Sequence, residues 1–233
     1  IGQVHFWQRK DGRKVAVKIQ YPGIRRSIDS DVDNVATLLR VSGLLPKSLD
    51  IKPLLDEAKK QLHDEADYRR EGACMMQFAS LLADADEFMV PEMHEDLTTE
   101  NILAMTRLDG DAVETLIHQP QAERDRIVSQ LFRLLFREIF EFRLIQTDPN
   151  FANYRYAAAS RQLILLDFGA TRAYPASMVD SYRQLMNCAT RNDRQGMDEA
   201  AVAIGYFQQD IKENQRQAVL DIFRAPVILI RPQ

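Results

Sequence analysis

Four groups of polar residues in this 233-residue chain have the types and the order that phosphate-transfer chemistry requires. Lys18 ends the apolar run Val-Ala-Val-Lys, and Glu71 follows in a later acidic segment. Asp148 lies five residues before Asn153, and an Asp-Phe-Gly tripeptide at 167–169 directly follows an apolar run. Each feature alone is ordinary, since a strand-end lysine is commonly a solvated edge residue and an aspartate before proline commonly forms a turn.

The joint order of these groups indicates a phosphotransferase. A lysine offsets phosphate charge, and a helical glutamate holds that lysine in place. Asparagine and aspartate oxygens are suitable magnesium ligands, and a loop aspartate can orient a hydroxyl or water nucleophile. A strand lysine, a helical glutamate, an Asp-x4-Asn loop and a strand followed by Asp-Phe-Gly is the order found in the protein-kinase superfamily. The sequence therefore predicts kinase-like nucleotide binding.

Several departures from ordinary protein kinases narrow this prediction. Gln146-Thr147 precedes Asp148 where His-Arg is usual, and no Gly-x-Gly-x-x-Gly precedes Lys18. Lys18 and Glu71 are 53 residues apart, which leaves room for an extra helix between them. After Asp-Phe-Gly the chain enters a helix without a long activation segment or an Ala-Pro-Glu motif. A platform for a peptide substrate is missing, and protein kinase activity is not expected.

Composition excludes several other classes. Thirty basic residues against 34 acidic ones give a net charge of −4, which offers no reason to expect a nucleic-acid partner. Two distant cysteines and four scattered histidines predict neither a disulfide framework nor a zinc site. No uncharged apolar run approaches the roughly 18 residues of a membrane span, so we expect no transmembrane segment in this chain. Nine glycines and nine prolines favour a helix-rich protein.

The elements that must position these residues follow from apolar periodicity and turn signals. Asp11-Gly12 predicts a hairpin within residues 1–20. Predicted helices cover about 24–45, 51–82, 121–146 and two or three stretches within 176–225, and predicted strands cover 88–93, 101–108 and 163–166. This order predicts an α+β, two-lobed, protein-kinase-like fold. Its N-lobe, residues 1–108, would combine a small antiparallel sheet with extra helices, and its C-lobe, residues 109–233, would be mainly helical.

Five motifs in this order give the chain a specific resemblance. They are IGQVH, VAVKIQYPGI, DEADYRREG, QTDPNFANY and LLDFGATR. Together they resemble the UbiB/ADCK family of atypical kinases, which support ubiquinone biosynthesis, and most closely its mitochondrial and alphaproteobacterial branch. The resemblance covers roughly residues 1–190. It implies that an alanine-rich phosphate loop and an N-terminal family extension would precede Ile1, so that these residues form the core of a longer protein.

The resemblance also assigns roles to individual residues. It makes Lys18, Glu71 and Asp148 catalytic, and it makes Asn153 and Asp167 the metal ligands. It implies that Glu65 and Asp67 restrain phosphotransfer as a regulatory pair, and i,i+4 spacing predicts that Asp67 and Glu71 share a helix face. The residues that it assigns to nucleotide binding, besides Lys18, are Gly2, Gln3, Met105, Thr106, Arg107 and Leu108.

The function implied by this resemblance is Mg²⁺- or Mn²⁺-dependent hydrolysis of ATP, or phosphotransfer to a small molecule or lipid, with ADP as product. The implied partners are polyprenyl quinone precursors or membrane lipid, and enzymes of quinone biosynthesis. The implied location is the cytoplasmic face of a bacterial membrane or the matrix side of the mitochondrial inner membrane.

Two alternatives stay open beside the function that the resemblance implies. One is a nucleotide-gated scaffold that organises quinone-biosynthesis enzymes or lipids without physiological phosphotransfer. The other is a small-molecule kinase similar to aminoglycoside or choline kinases, which also lack activation loops. The second alternative is disfavoured, because those enzymes do not carry the Glu65-x-Asp67 element or the Ile1–His5 segment in this arrangement.

Overall fold

The computed structural model describes residues 1–43, 50–148, 150–207 and 211–230, without the side chains of 225–230. The predicted end of the first helix near Leu45, and Pro149 of the QTDPN motif, lie outside the described residues. The chain forms two compact units. The first contains Ile1–Phe132 and Gln146–Arg172, and the second contains Arg133–Ile145 and Ala173–Gln233.

A three-stranded antiparallel sheet opens the first unit. Its strands are β1 (Gly2–Gln8), β2 (Lys14–Gln20) and β4 (Ile102–Thr106), in the order β1-β2-β4. The predicted hairpin turn lies between β1 and β2, where Gly12 has a φ of 88° that favours glycine. Val15, Val17 and Ala104 share one face of the sheet and are buried together, while Lys18 points to the opposite face.

Three helices follow β2. They are α1 (Ile24–Ser42), α2 (Lys52–Glu65) and α3 (Tyr68–Leu81). The prediction of one continuous helix over 51–82 is wrong, because the chain leaves helical geometry at Ala66-Asp67. Asp67 begins α3 as its N-cap, with its side chain accepting hydrogen bonds from the backbone N–H groups of Arg69 and Arg70.

A second sheet in the first unit leads the chain to the Asp-Phe-Gly tripeptide. It has four strands in the order β3-β8-β7-β5, where β3 is Phe88–Met89, β5 Asp111–Ala112, β7 Tyr154–Ala157 and β8 Gln162–Leu165. β7 and β8 form an antiparallel hairpin, whereas β3 runs parallel to β8. The predicted strand at 163–166 is therefore one arm of a hairpin, and β3 is shorter than predicted.

The long predicted helix over 121–146 ends early. α4 covers Gln121–Arg137 and continues as one wide turn over Glu138–Phe142. Arg143 then adopts a left-handed conformation with a φ of 54°, and β6 (Leu144–Gln146) begins directly after it. A strand in place of the last helical turn brings the chain in extended form to the loop that contains Asp148.

The second unit is mainly helical. The short strand β9 (Thr171–Ala173) leads from the first unit to α5 (Ala176–Arg191), which is followed by α6 (Arg194–Ile204) and α7 (Glu213–Ile230). Its core is formed by buried residues of all three helices: Leu185, Ala189, Met197, Ala200, Ala201 and Leu220.

The α+β class predicted from the sequence is confirmed. The two compact units do not test the predicted boundary between lobes at residues 108 and 109, which stays a prediction. In the part of the chain that the structure describes, no helix combines the length and the apolar character needed to cross a membrane.

Candidate active site

Lys18 lies at the centre of an ion-pair cluster in the first unit. It occupies the middle of β2, where it is paired with Val4 of β1 and Leu103 of β4. Its Nζ lies 2.5 Å from Glu71 Oε1 and 2.9 Å from Asp167 Oδ2. One ammonium therefore joins residues that are 53 and 149 positions away in the sequence.

Helix α3 places Glu71 beneath this sheet. The side chain of Glu71 is only 3% exposed, and its carboxylate also accepts a hydrogen bond from the backbone N–H of Phe168. Asp67, four residues earlier, is the N-cap of the same helix, and its carboxylate accepts hydrogen bonds from backbone N–H groups of the first turn. The prediction that Asp67 and Glu71 share a helix face is wrong, because Asp67 lies outside helical geometry.

The electrostatics of the cluster maintain its charges. Burial alone would lower the pKa of Lys18, but the carboxylates of Glu71 and Asp167 outweigh burial and raise this pKa above its ordinary value. Burial also opposes ionisation of Asp167, yet the Lys18 ammonium and the Gly169 N–H hold the pKa of Asp167 below its usual range. Burial raises the pKa of Glu71, and Lys18 opposes that rise. The lysine therefore favours the charged form of both acidic groups.

The Asp148 loop lies next to this cluster but is more open. Asp148 is exposed, and the Asn153 side chain is turned toward it, with Nδ2 donating to Asp148 Oδ2 at 3.0 Å and to its backbone oxygen at 3.2 Å. A short 3-10 turn over Phe151–Asn153 is capped by Asn150 and positions Asn153. The backbone oxygen of Asn153 accepts from the N–H of Leu166, directly before Asp167, so the loop is fastened to the strand end.

Packing beneath the Asp-Phe-Gly tripeptide fixes it against α3. The rings of Phe78 and Phe168 are both fully buried and lie 5.2 Å apart. Gln146, at the position where protein kinases have histidine, donates to the backbone oxygen of Asp167 and accepts from Tyr154 Oη at 2.8 Å. The peptide that carries Asp167 is thus held by a helix on one side and by the Asp148 loop on the other.

A cavity of about 250 Å³ collects most of the charged residues. Six of the residues singled out from the sequence line it: Gly2, Lys18, Glu65, Glu71, Asp148 and Asp167. Gly2 is required here, because a Cβ at this position would collide with the Ile19 carbonyl oxygen and the Tyr68 hydroxyl. Asp67 and Asn153 do not line this cavity, but the Asn153 side chain donates a hydrogen bond to Asp148, which does.

An adjoining cavity of about 690 Å³ has a more apolar lining. Lys18 lines both cavities, and the predicted segment Met105–Leu108 contributes to this second one together with Val4 and Phe6. The Arg107 guanidinium lies over the Phe6 ring at 4.5 Å. Gln3 is paired with Ile19, so its side chain lies on the sheet face opposite Lys18 and lines neither cavity.

The donor set fits a hard divalent cation that shares its ligands with a phosphate. Asp167 offers carboxylate oxygens, and Asn153 uses its amide N–H groups on Asp148, which leaves its amide oxygen for a metal. Magnesium commonly takes one or two such protein oxygens and completes its shell with phosphate and water. Within the described ranges, no group of three or more His, Cys, Asp or Glu side chains could hold a metal unaided.

Sequence reasoning missed three contributors to this site. Tyr68 lines the charged cavity, Phe78 packs on Phe168, and Arg70 contacts the backbone after Asp167. Two signals could have singled them out: Tyr68 and Arg70 lie within the DEADYRREG motif, and Tyr68 and Phe78 are three and seven positions from Glu71, a spacing that places them on its side of the helix.

Comparisons with known proteins place this chain in a family. The sequence model of the ABC1 atypical kinase-like domain matches residues 1–201. The chain is 39% identical over 221 residues to the mitochondrial atypical kinase COQ8 of Saccharomyces cerevisiae, covering 95% of this chain and 44% of that protein. It is 46% identical over 194 residues to the mitochondrial atypical kinase COQ8B of Rattus norvegicus, covering 83% of this chain and 37% of that protein.

A solved structure supports the fold. The complex of Rv3197 with erythromycin from Mycobacterium tuberculosis matches with a TM-score of 0.74 at 24% sequence identity, covering 98% of this chain and 58% of that one. The chain therefore spans less than half the length of the two curated relatives and somewhat more than half of this solved chain. The match shows that the two chains share a fold over nearly all of this chain.

Proposed function

The chain belongs to the ABC1 family of atypical kinase-like proteins, which is the UbiB/ADCK family, and on that premise we propose that it is the core of a magnesium-dependent ATPase or kinase. Its substrate would be ATP, and the acceptor of the phosphoryl group would be water, a small molecule or a lipid. The missing peptide platform argues against a protein acceptor.

The observation that supports this proposal best is the position of Lys18. Its ammonium bridges Glu71 and Asp167 and lines both the charged cavity and the more apolar one beside Met105–Leu108. A nucleotide with its base in the apolar cavity would place its phosphates at Lys18. That separation of an apolar region from a charged one matches the two ends of a nucleoside triphosphate.

Each side chain has a distinct task in this proposal. Lys18 offsets phosphate charge, and Glu71 holds it in place through their ion pair. Asn153 and Asp167 would hold magnesium, which supplies positive charge to the phosphate oxygens. Asp148 is exposed at the cavity and would orient the attacking hydroxyl or water, while Asn153 fixes the direction of its carboxylate.

The biological setting is also proposed from the family. Relatives named mitochondrial COQ8 and COQ8B favour a role in supporting ubiquinone biosynthesis. We infer polyprenyl quinone precursors or membrane lipids as the molecules handled, and enzymes of quinone biosynthesis as partners. A location at the matrix side of the mitochondrial inner membrane, or at the cytoplasmic face of a bacterial membrane, follows from the same reasoning.

Nucleotide binding can be tested by thermal unfolding with ADP or ATP, with and without Mg²⁺. A ligand that binds the native state raises its stability, so we expect the melting temperature to rise with nucleotide and magnesium together. Asp167→Asn should lose the magnesium-dependent part and lower ATP turnover by about 10²–10³-fold, as expected for one lost charged contact. The matched control is Asp31→Asn, an exposed residue of α1.

Two results would contradict this proposal. If neither nucleotide stabilises the wild-type protein, the proposed function is wrong. If Asp167→Asn hydrolyses ATP at the wild-type rate, the assignment of Asp167 as a metal ligand is wrong. Asp148→Asn separates an enzyme from a scaffold, because an enzyme loses its activity in this variant whereas a scaffold would still complement a quinone-deficient host.

A further inference from the structure

Arg70 connects helix α3 to the backbone that follows Asp167. Its Nη1 donates to the Gly169 carbonyl oxygen at 2.8 Å, and its Nη2 donates to the Thr171 carbonyl oxygen. Its Nε lies 4.0 Å from Asp64 Oδ1, at the end of α2. One guanidinium therefore contacts two carbonyl groups of the segment Gly169–Thr171.

The same short segment is held from its other side. The Ala170 carbonyl oxygen accepts from both the N–H of Thr147 at 3.2 Å and its Oγ1 at 2.7 Å. Gln146 donates to the Asp167 carbonyl oxygen. The carbonyl groups of Gly169 and Thr171 thus accept from α3, and the carbonyl group of Ala170 between them accepts from Thr147. The segment is held by donors that recognise its backbone rather than its side chains.

The geometry of the guanidinium makes this contact selective. It is planar and presents its donors in a rigid fork, so two bonds to carbonyls two residues apart fix both the distance and the orientation of the segment. A lysine ammonium is a compact point charge without such a fork, so it cannot bond both carbonyl groups in this geometry. Glu71, the next residue along α3, meets Lys18, so movement of α3 would alter both contacts at once.

We propose that Arg70 is a positioning residue, which locks the Asp167–Thr171 segment to α3 and thereby holds Asp167 where it can bind a metal. This inference rests on the proposed function. In protein kinases, phosphorylation of the activation loop controls whether the Asp-Phe-Gly aspartate is in place. This chain has no long activation segment, and the backbone contacts of Arg70 would order its Asp-Phe-Gly tripeptide instead.

The first test measures the segment itself, with no nucleotide present. Hydrogen exchange of the amides at 168–172, followed by mass spectrometry, should be about tenfold or more faster in Arg70→Lys and Arg70→Gln, because a charged hydrogen bond commonly contributes at least that factor. The matched control is Arg69→Lys, an exposed neighbour on the same helix turn. Unchanged exchange in both Arg70 variants would overturn the proposal.

The second test measures metal affinity. At a fixed ADP concentration, the Mg²⁺ concentration for half-maximal stabilisation should rise about tenfold in Arg70→Lys, while ADP binding without Mg²⁺ changes by less than about twofold. A general loss of structure would weaken both to the same extent and would overturn the positioning role. Failure of the wild-type protein to bind nucleotide overturns the proposed function, whereas normal wild-type binding with an unchanged Mg²⁺ requirement in Arg70→Lys overturns this inference alone.

Discussion

Two neighbouring regions of the first unit differ in how completely they are assembled. The Lys18 cluster is largely buried, each of its charges has a partner, and the Phe78 and Phe168 rings pack beneath it. The Asp148 side chain is exposed, and its carboxylate accepts a hydrogen bond from Asn153 Nδ2. The region that would offset phosphate charge is thus preorganised, whereas the region that would meet the acceptor is open. Substitutions in the first should change stability, and substitutions in the second should change turnover alone.

The largest expected effect on stability is that of Lys18→Met. Removing one partner of a buried ion pair leaves uncompensated charge, which commonly costs about 3–5 kcal/mol of unfolding free energy. Chemical denaturation at pH 7 measures this loss. Lys14→Met is the matched control on the same strand, because Lys14 pairs with Asp109 at the surface, where ion pairs contribute little to stability.

The loss in Lys18→Met should depend on pH. In the wild-type protein the pKa of Asp167 lies below its ordinary value of 3.8, so its contribution is present above that pH and is lost as the pH falls through the lowered pKa. Without Lys18 the pKa of Glu71, already raised above 4.5 by burial, rises further. Ionising this carboxyl then destabilises the variant as the pH increases. The difference between wild type and variant should therefore grow as the pH rises from acidic values to neutrality, and a constant difference would contradict the ion-pair interpretation.

A smaller loss of unfolding free energy is expected for a substitution in the ring packing beneath the Lys18 cluster. Phe78→Leu removes the ring contact with Phe168 and leaves a small void, and we expect a loss of about 1–2 kcal/mol. Denaturant unfolding measures it, with Met76→Leu as an exposed control on the same helix. A loss no greater than that of the control would show that this packing does not support the preorganised region.

The smallest effect on stability is expected in the open region. Asp148→Asn keeps an oxygen that can accept the bond from Asn153 Nδ2, and the residue is exposed, so unfolding free energy should change by less than about 0.5 kcal/mol. ATP turnover, measured on the same preparation, should nevertheless fall by about 10²–10⁴-fold if Asp148 acts as a base. A large loss of stability would remove the contrast between the two regions.

The sequence predicted the polar residues of this site better than the elements between them. Lys18 and Asp167 follow apolar runs with clear strand character, so a strand before each of them could be expected, although β2 continues to Gln20 beyond Lys18. The break at Asp67 was missed because no glycine or proline marks it, although aspartate is a preferred N-cap. The preference for aspartate at that position was the available signal.

Two further elements were missed for a related reason. Arg143 ends the wide helical turn, and Arg161 closes the hairpin between β7 and β8, both with the positive φ that usually indicates glycine. Tertiary contacts support these turns: the N–H of Tyr174 donates to the Arg143 carbonyl oxygen, and Arg161 Nη2 contacts Glu123 at 2.6 Å. Local sequence preferences do not include contacts with residues so distant in the chain, so they could not predict these turns.

The lining of the charged cavity has a consequence for how metal and nucleotide affect each other's binding. Its side chains place the single ammonium of Lys18 among the carboxylates of Glu65, Glu71, Asp148 and Asp167. A bare triphosphate entering this space would be repelled, whereas one that arrives with a divalent cation would not. Metal and nucleotide should then each increase the affinity for the other, by the same factor in both directions, because such coupling is reciprocal. The acidic lining would make the protein selective for the metal complex of the nucleotide over the free anion.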